Sequence, residues 1–97
     1  DKQYRATLAI SPTSAAAHHN LGLTLLDLDR PREAAAQFSA TIQQLPNSAV
    51  AHANLSRALA ELSQTVEAIA EAERSLSLEP DNPELLAMLS HLKMGIK

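Results

Sequence analysis

Leu45-Pro46-Asn47-Ser48-Ala49-Val50-Ala51-His52 is the stretch on which the fold turns, because it has two counterparts elsewhere in the chain. One lies 34 residues earlier, as Ser11-Pro12-Thr13-Ser14-Ala15-Ala16-Ala17-His18, and one lies 34 residues later, as Glu79-Pro80-Asp81-Asn82-Pro83-Glu84-Leu85-Leu86. Each leads into an equivalent triplet: Asn20-Leu21-Gly22, Asn54-Leu55-Ser56 and Met88-Leu89-Ser90. Self-similarity at a fixed period marks a repeat architecture, in which each unit buries its apolar face against its neighbours.

Each junction has a physical meaning. A proline after an apolar stretch ends the preceding helix, since it lacks an N–H and restricts its neighbour. Ser14, Ser48 and Asn82 then sit where an N-cap is needed, each able to accept a bond from a free N–H of the next first turn. Pro83 suits the first helical position, and Glu84 adds favourable charge there. A second break falls inside each period, at Asp27-Leu28-Asp29-Arg30-Pro31 and at Glu61-Leu62-Ser63-Gln64-Thr65. Pro31 can start one new helix; Ser63 or Thr65 can cap its counterpart. Leu21, Leu25 and Leu28 lie at helical intervals, as do Leu55, Leu59 and Leu62. Ala34, Phe38, Ile42 and Leu45 form a stripe in one second helix, and Ala68, Ala72, Leu76 and Ile69 in the next. The spacing predicts helices over about 2–11, 15–28, 31–45, 49–62, 65–78 and 83–95, about six in all.

Composition agrees with an all-α fold. Alanine and leucine dominate, Tyr4 and Phe38 are the only aromatics, and there are two glycines and five prolines. The net charge of −3, with eight scattered basic residues, argues against nucleic acid, whose phosphates call for clustered Lys and Arg. No cysteine is present, which removes disulfides and thiolate zinc sites. No apolar run reaches the roughly 20 residues of a membrane span, so no membrane insertion is expected. The compartment stays open, with a soluble, cytoplasmic setting as the working expectation.

The periodic positions resemble the tetratricopeptide repeat (TPR), whose pattern is W-x2-L-G-x2-Y, then A-x3-F, then P. The first full unit supplies His18-x2-Leu21-Gly22-x2-Leu25, Ala34-x3-Phe38 and Pro46; the second supplies His52-x2-Leu55-Ser56-x2-Leu59, Ala68-x3-Ala72 and Pro80. Tyr4 falls in the Phe slot of a leading half unit, and Leu86-x2-Leu89-Ser90 opens a trailing one. The departures are His in both Trp slots, Leu in the Tyr slots, Ala72 for Phe, and Ser56 and Ser90 for Gly. Ala72 should narrow or loosen its layer, and Lys93, in a usually apolar slot, should leave the last helix exposed. The resemblance implies a right-handed superhelix of antiparallel hairpins. It also implies one domain over 1–97: a half repeat over about 1–14, full repeats over about 15–48 and 49–82, and the first helix of another over about 83–97.

The resemblance further implies a non-catalytic module that binds a protein or peptide on a concave face lined by the first helix of each unit. The residues placed there by analogy include His19, Asn20, Leu23 and Asp27, then Val50, Asn54, Arg57 and Glu61, then Glu84, Met88 and His91, with Ala16, Ala53 and Ala87 among them. Asn20 and Asn54 fill a slot the family often gives to Asn, either to bond a peptide backbone or as structural habit. One subfamily grips the C-terminal carboxylate of chaperone tails with Lys, Arg and Asn. The comparable slots here hold His19, Leu23, Asn54, Glu84 and Met88, of which only Asn54 matches, and Glu84 would repel the carboxylate. Two other readings stand: an accessory region of a larger enzyme of the glycosyltransferase or methyltransferase type, and a self-association module in which terminal helices of copies meet weakly.

No cofactor is implied. His18 and His52, a full period apart, should each fill the former Trp slot rather than converge on a metal. Glu67, Glu71 and Arg74 lie at helical spacing and read as a solvated face with weak ion pairs. No Gly-rich phosphate loop, nucleophile elbow or H-E-x-x-H helix occurs, so no catalytic residue is named.

Overall fold

The computed structural model describes residues 14–95. They form α1 (Ala15–Asp27), α2 (Pro31–Gln44), α3 (Ala49–Glu61), α4 (Thr65–Leu78) and α5 (Pro83–Met94). There is no strand among the described residues. These five helices fall within a residue of the predicted ranges; the helix expected over about 2–11 lies outside the described residues.

The junctions behave as elementary capping physics requires. The hydroxyl of Ser14 accepts the N–H of Ala17 at 3.2 Å, that of Ser48 accepts Ala51 N–H at 3.2 Å, and the amide oxygen of Asn82 accepts Leu85 N–H at 3.1 Å. Each such cap stabilises its helix by about 1 kcal/mol. Inside the units, α1 and α3 end on a left-handed residue, Asp29 with φ 61° and Ser63 with φ 62°. Arg30 N–H then reaches back to the Leu25 carbonyl at 2.8 Å, and Gln64 N–H to the Leu59 carbonyl at 2.9 Å. These bonds satisfy carbonyls that the helix end would otherwise leave open, and they reverse the chain. Neither Ser63 nor Thr65 caps α4. The N-cap is Gln64, which makes no side-chain capping bond, because Ser63 is taken up by the left-handed turn.

Consecutive helices pack in antiparallel pairs, and α1 also touches α3. The first core joins Leu25, Ala34, Phe38, Leu55 and Ala58, so it bridges from one unit to the next. A second core joins Ala72, Leu85 and Leu89. Two expected core positions are instead exposed: Leu28 at 60% and Leu45 at 50%. Leu28 is the residue following α1, where the chain is already leaving the packed face. Leu45 likewise follows α2, and the inward position one turn earlier is filled by the buried Thr41.

Thr41 shows how this array closes at one end of each hairpin. Its hydroxyl donates to the Gln37 carbonyl at 3.0 Å, with the Ala15 carbonyl at 3.5 Å, and its equivalent Ser75 donates to the Ala49 carbonyl at 2.7 Å. The histidines take the wedge position between paired helices. His18 Nδ1 meets the Gln37 amide oxygen at 2.8 Å. His52, 1% exposed, donates through Nε2 to the Pro46 carbonyl at 2.8 Å and places Nδ1 2.6 Å from Glu71. Both ring nitrogens of His52 therefore face oxygen atoms. Glu71 is consequently not part of a solvated face; its side chain is only 22% exposed.

The small residues are matched in pairs. A methyl group placed on Gly22 would lie 2.6 Å from the Phe38 ring, so only glycine lets that ring in. In the second unit Ala72 replaces the ring, and Ser56, wholly buried, stands in glycine's place. Its hydroxyl donates to the Ala68 carbonyl at 2.6 Å, tying α3 to α4.

Candidate functional site

α1 and α3, the first helices of successive hairpins, run in the same direction and meet along a seam. Near their N-terminal ends a cleft of about 260 Å³ opens, lined by Ala15, Ala16, His19, Asn20, Thr41, Leu45, Ser48 and Val50. Its walls come from α1, α2, α3 and the α2–α3 turn, so the packing of separate elements shapes it. A larger hollow of about 350 Å³ is lined by five consecutive residues, Gln44 to Ser48. Among the described residues one turn of chain makes its walls, with no second element facing it. The α1–α3 cleft is the better site.

The cleft has an apolar and a polar side. Val50, 54% exposed, and Leu45, 50% exposed, offer branched aliphatic surface. Asn20 is exposed, and its backbone carbonyl accepts the Thr24 hydroxyl at 3.1 Å. His19 is half-buried. Its ring lies 5.7 Å from that of Phe38, tilted by 58°, and its Nε2 is 3.5 Å from the Asn54 amide nitrogen. Core packing therefore positions the imidazole, which forms one wall of the cleft.

The other residues expected on this face divide into two sets. Asn54 is buried at 8% exposure with its amide turned to His19, so it differs in role from the exposed Asn20. Leu23 and Met88 pack against the first and second cores respectively. Asp27, Arg57, Glu61, Glu84 and His91 are exposed. Asp27 and Glu61 are the last residues of α1 and α3. Sequence reasoning brought Ala16, His19, Asn20 and Val50 to the face that carries the cleft. It missed Ala15, Thr41, Leu45 and Ser48. Their signal was weak, because Leu45 fits the apolar stripe of α2 and only its place after the last helical residue turns it outward.

Among the described residues no group of three or more His, Cys, Asp or Glu side chains is placed to hold a metal ion. No helix among them is long and apolar enough to cross a membrane.

Known structures share this architecture. The fold superposes on the first TPR of Spaghetti (RPAP3) bound to HSP90 peptide SRMEEVD, with a TM-score of 0.88 and 21% identity over 94% of this chain and 72% of that one. It superposes on the crystal structure of MamA with a TM-score of 0.87 and 22% identity over 95% of this chain, which spans 55% of that chain. No family sequence model matches the chain, and no curated protein matches it. The superpositions show that the chain has the tetratricopeptide-repeat fold, a superhelix of antiparallel helical hairpins.

Proposed function

We propose that this chain is a non-catalytic interaction module that holds a peptide segment of a partner protein along the α1–α3 seam. The observation that carries the reading is the α1–α3 cleft, lined by exposed Val50 and Leu45 together with exposed Asn20. An aliphatic side chain entering the cleft would remove apolar surface from water at about 25 cal/mol per Å². The Asn20 amide, donor and acceptor together, suits a peptide backbone. That a protein of the same fold is bound to an HSP90 peptide supports a peptide as ligand. The exposed carboxylates of Asp27, Glu61 and Glu84 disfavour a ligand as acidic as that one.

The test is a selection of random linear displayed peptides on the wild-type chain, followed by fluorescence anisotropy on the enriched sequences. Ala16→Trp fills the cleft from an exposed helical position and should leave the far-UV circular dichroism unchanged. It should weaken the selected peptides by about tenfold or more. Peptides that bind both proteins equally would place the contact surface elsewhere.

A further inference from the structure

The inner stripes of α1 and α3 are not uniform along their length. Ala16, Asn20, Leu23 and Asp27 recur at helical spacing on α1, as do Val50, Asn54, Arg57 and Glu61 on α3. Both stripes begin apolar, at the cleft, and both end in a carboxylate. Asp27 and Glu61 sit at the C-terminal ends of their helices, where the helix already presents partial negative charge, and neither helix has a basic residue in its last turn. An acid at that position disfavours the helix, so both ends carry an electrostatic cost that a bound cation would relieve. Arg57, one turn from Glu61, does not neutralise it: among the described residues no ion pair joins Arg57 to Glu61 or to Asp27. Including Glu84 at the start of α5, the exposed inner residues hold three carboxylates against one guanidinium.

We infer that the partner segment is amphipathic along its length and basic at one end, with an aliphatic side chain in the cleft and a Lys or Arg between Asp27 and Glu61. This rests on the proposed seam as the binding face and adds the chemistry of the occupant. The spacing follows from helix geometry. Eleven residues separate Ala16 from Asp27 and Val50 from Glu61, a rise of about 16 Å. Extended chain advances about 3.3 Å per residue, so the two anchor side chains stand about five residues apart. A second copy of this chain is the poorer occupant, since each copy carries a net charge of −3. A nucleic acid is poorer still.

The experiment repeats the peptide selection on the wild-type chain and on the double variant Asp27→Lys/Glu61→Lys. Lysine at a helix C-terminus is favoured by the helix dipole, so the variant should fold at least as well as the parent. Wild type should enrich peptides that pair an aliphatic residue with Lys or Arg about five positions away. Their affinity should fall about tenfold on the variant and weaken with added salt. The variant should enrich Asp or Glu at the same spacing. Neutral or acidic peptides on wild type, or a charge preference unmoved by the reversal, would overturn the inference. If those peptides still lose affinity with Ala16→Trp, the seam stands as the binding face and only its charge selectivity fails. If no peptide is enriched, or if light scattering shows that copies occlude the seam, both readings fail together.

Discussion

Two residue pairs carry most of the individuality of this array. Gly22 admits the Phe38 ring, and the equivalent positions of the second unit hold the buried Ser56 and Ala72. Gly22→Ser should therefore destabilise by about 1–3 kcal/mol through overpacking. Combined with Phe38→Ala, which reproduces the pairing of the second unit, it should cost at least 1 kcal/mol less than the sum of the two single changes, roughly the coupling seen for residues in contact. Urea denaturation of the four proteins measures this, and simple additivity would break the link. The histidine wedges differ in a related way, since His18 meets Gln37 where His52 meets Glu71. Glu71→Gln should stay within about 1 kcal/mol of wild type, because a glutamine can turn its amide to meet the ring nitrogen, as Gln37 meets that of His18. Glu71→Ala should cost about 1–3 kcal/mol by leaving a buried ring nitrogen unpaired. Equal losses in both variants would mean the carboxylate acts by charge alone.

At the scale of the element, the left-handed residues stand out. A non-glycine residue there costs roughly 1–2 kcal/mol, and glycine is the usual solution at a helix end. Ser63→Gly keeps the turn that the Gln64-to-Leu59 bond closes and removes the crowding at φ 62°. It should raise stability by about 0.5–1 kcal/mol even after glycine's greater freedom in the unfolded chain. A lowered melting temperature would show that the serine side chain contributes something the fold retains. The helices were legible because their punctuation is chemical: proline, cap and apolar stripe repeat in step, and each acts within one turn of chain. The outward turn of Leu28 and Leu45 was not legible, since a periodic stripe does not say where its helix stops facing the core. The exposed Asn20 and buried Asn54 share one sequence slot. Asn54 has His19 of the preceding unit against its amide, and no local pattern records that contact.

Across the whole molecule, contacts run between neighbours, so stability should fall away toward an end with one neighbour. Among the described helices α5 packs chiefly on α4, through Leu85 and Leu89 against Ala72, and its Leu86 and Met94 stay exposed. Lys93 bridges to Glu73 at 3.0 Å, but both side chains are more than half exposed, so the pair adds little. Amides of α5 should exchange with deuterium well before those of α2 and α3, which share the Phe38 core. Mass spectrometry of exchanged fragments reads this directly; uniform protection would mean the array unfolds as one unit. The proposed binding face was legible only as far as the repeat predicts it. The cleft within it depends on how the α2–α3 turn meets α1, which is set by packing between units.

The Gly22–Phe38 and Ser56–Ala72 pairs also bear on how the chain avoids mistakes. Near-identical hairpins invite slippage, in which a helix docks against the wrong copy of its mate, within one chain or across two. Pairing α3 with α2 as its hairpin mate should set the serine against the phenyl ring, and pairing α1 with α4 should leave a void where the ring belongs. Two of the four combinations thus carry a steric penalty, which favours the correct register although the junctions are almost interchangeable.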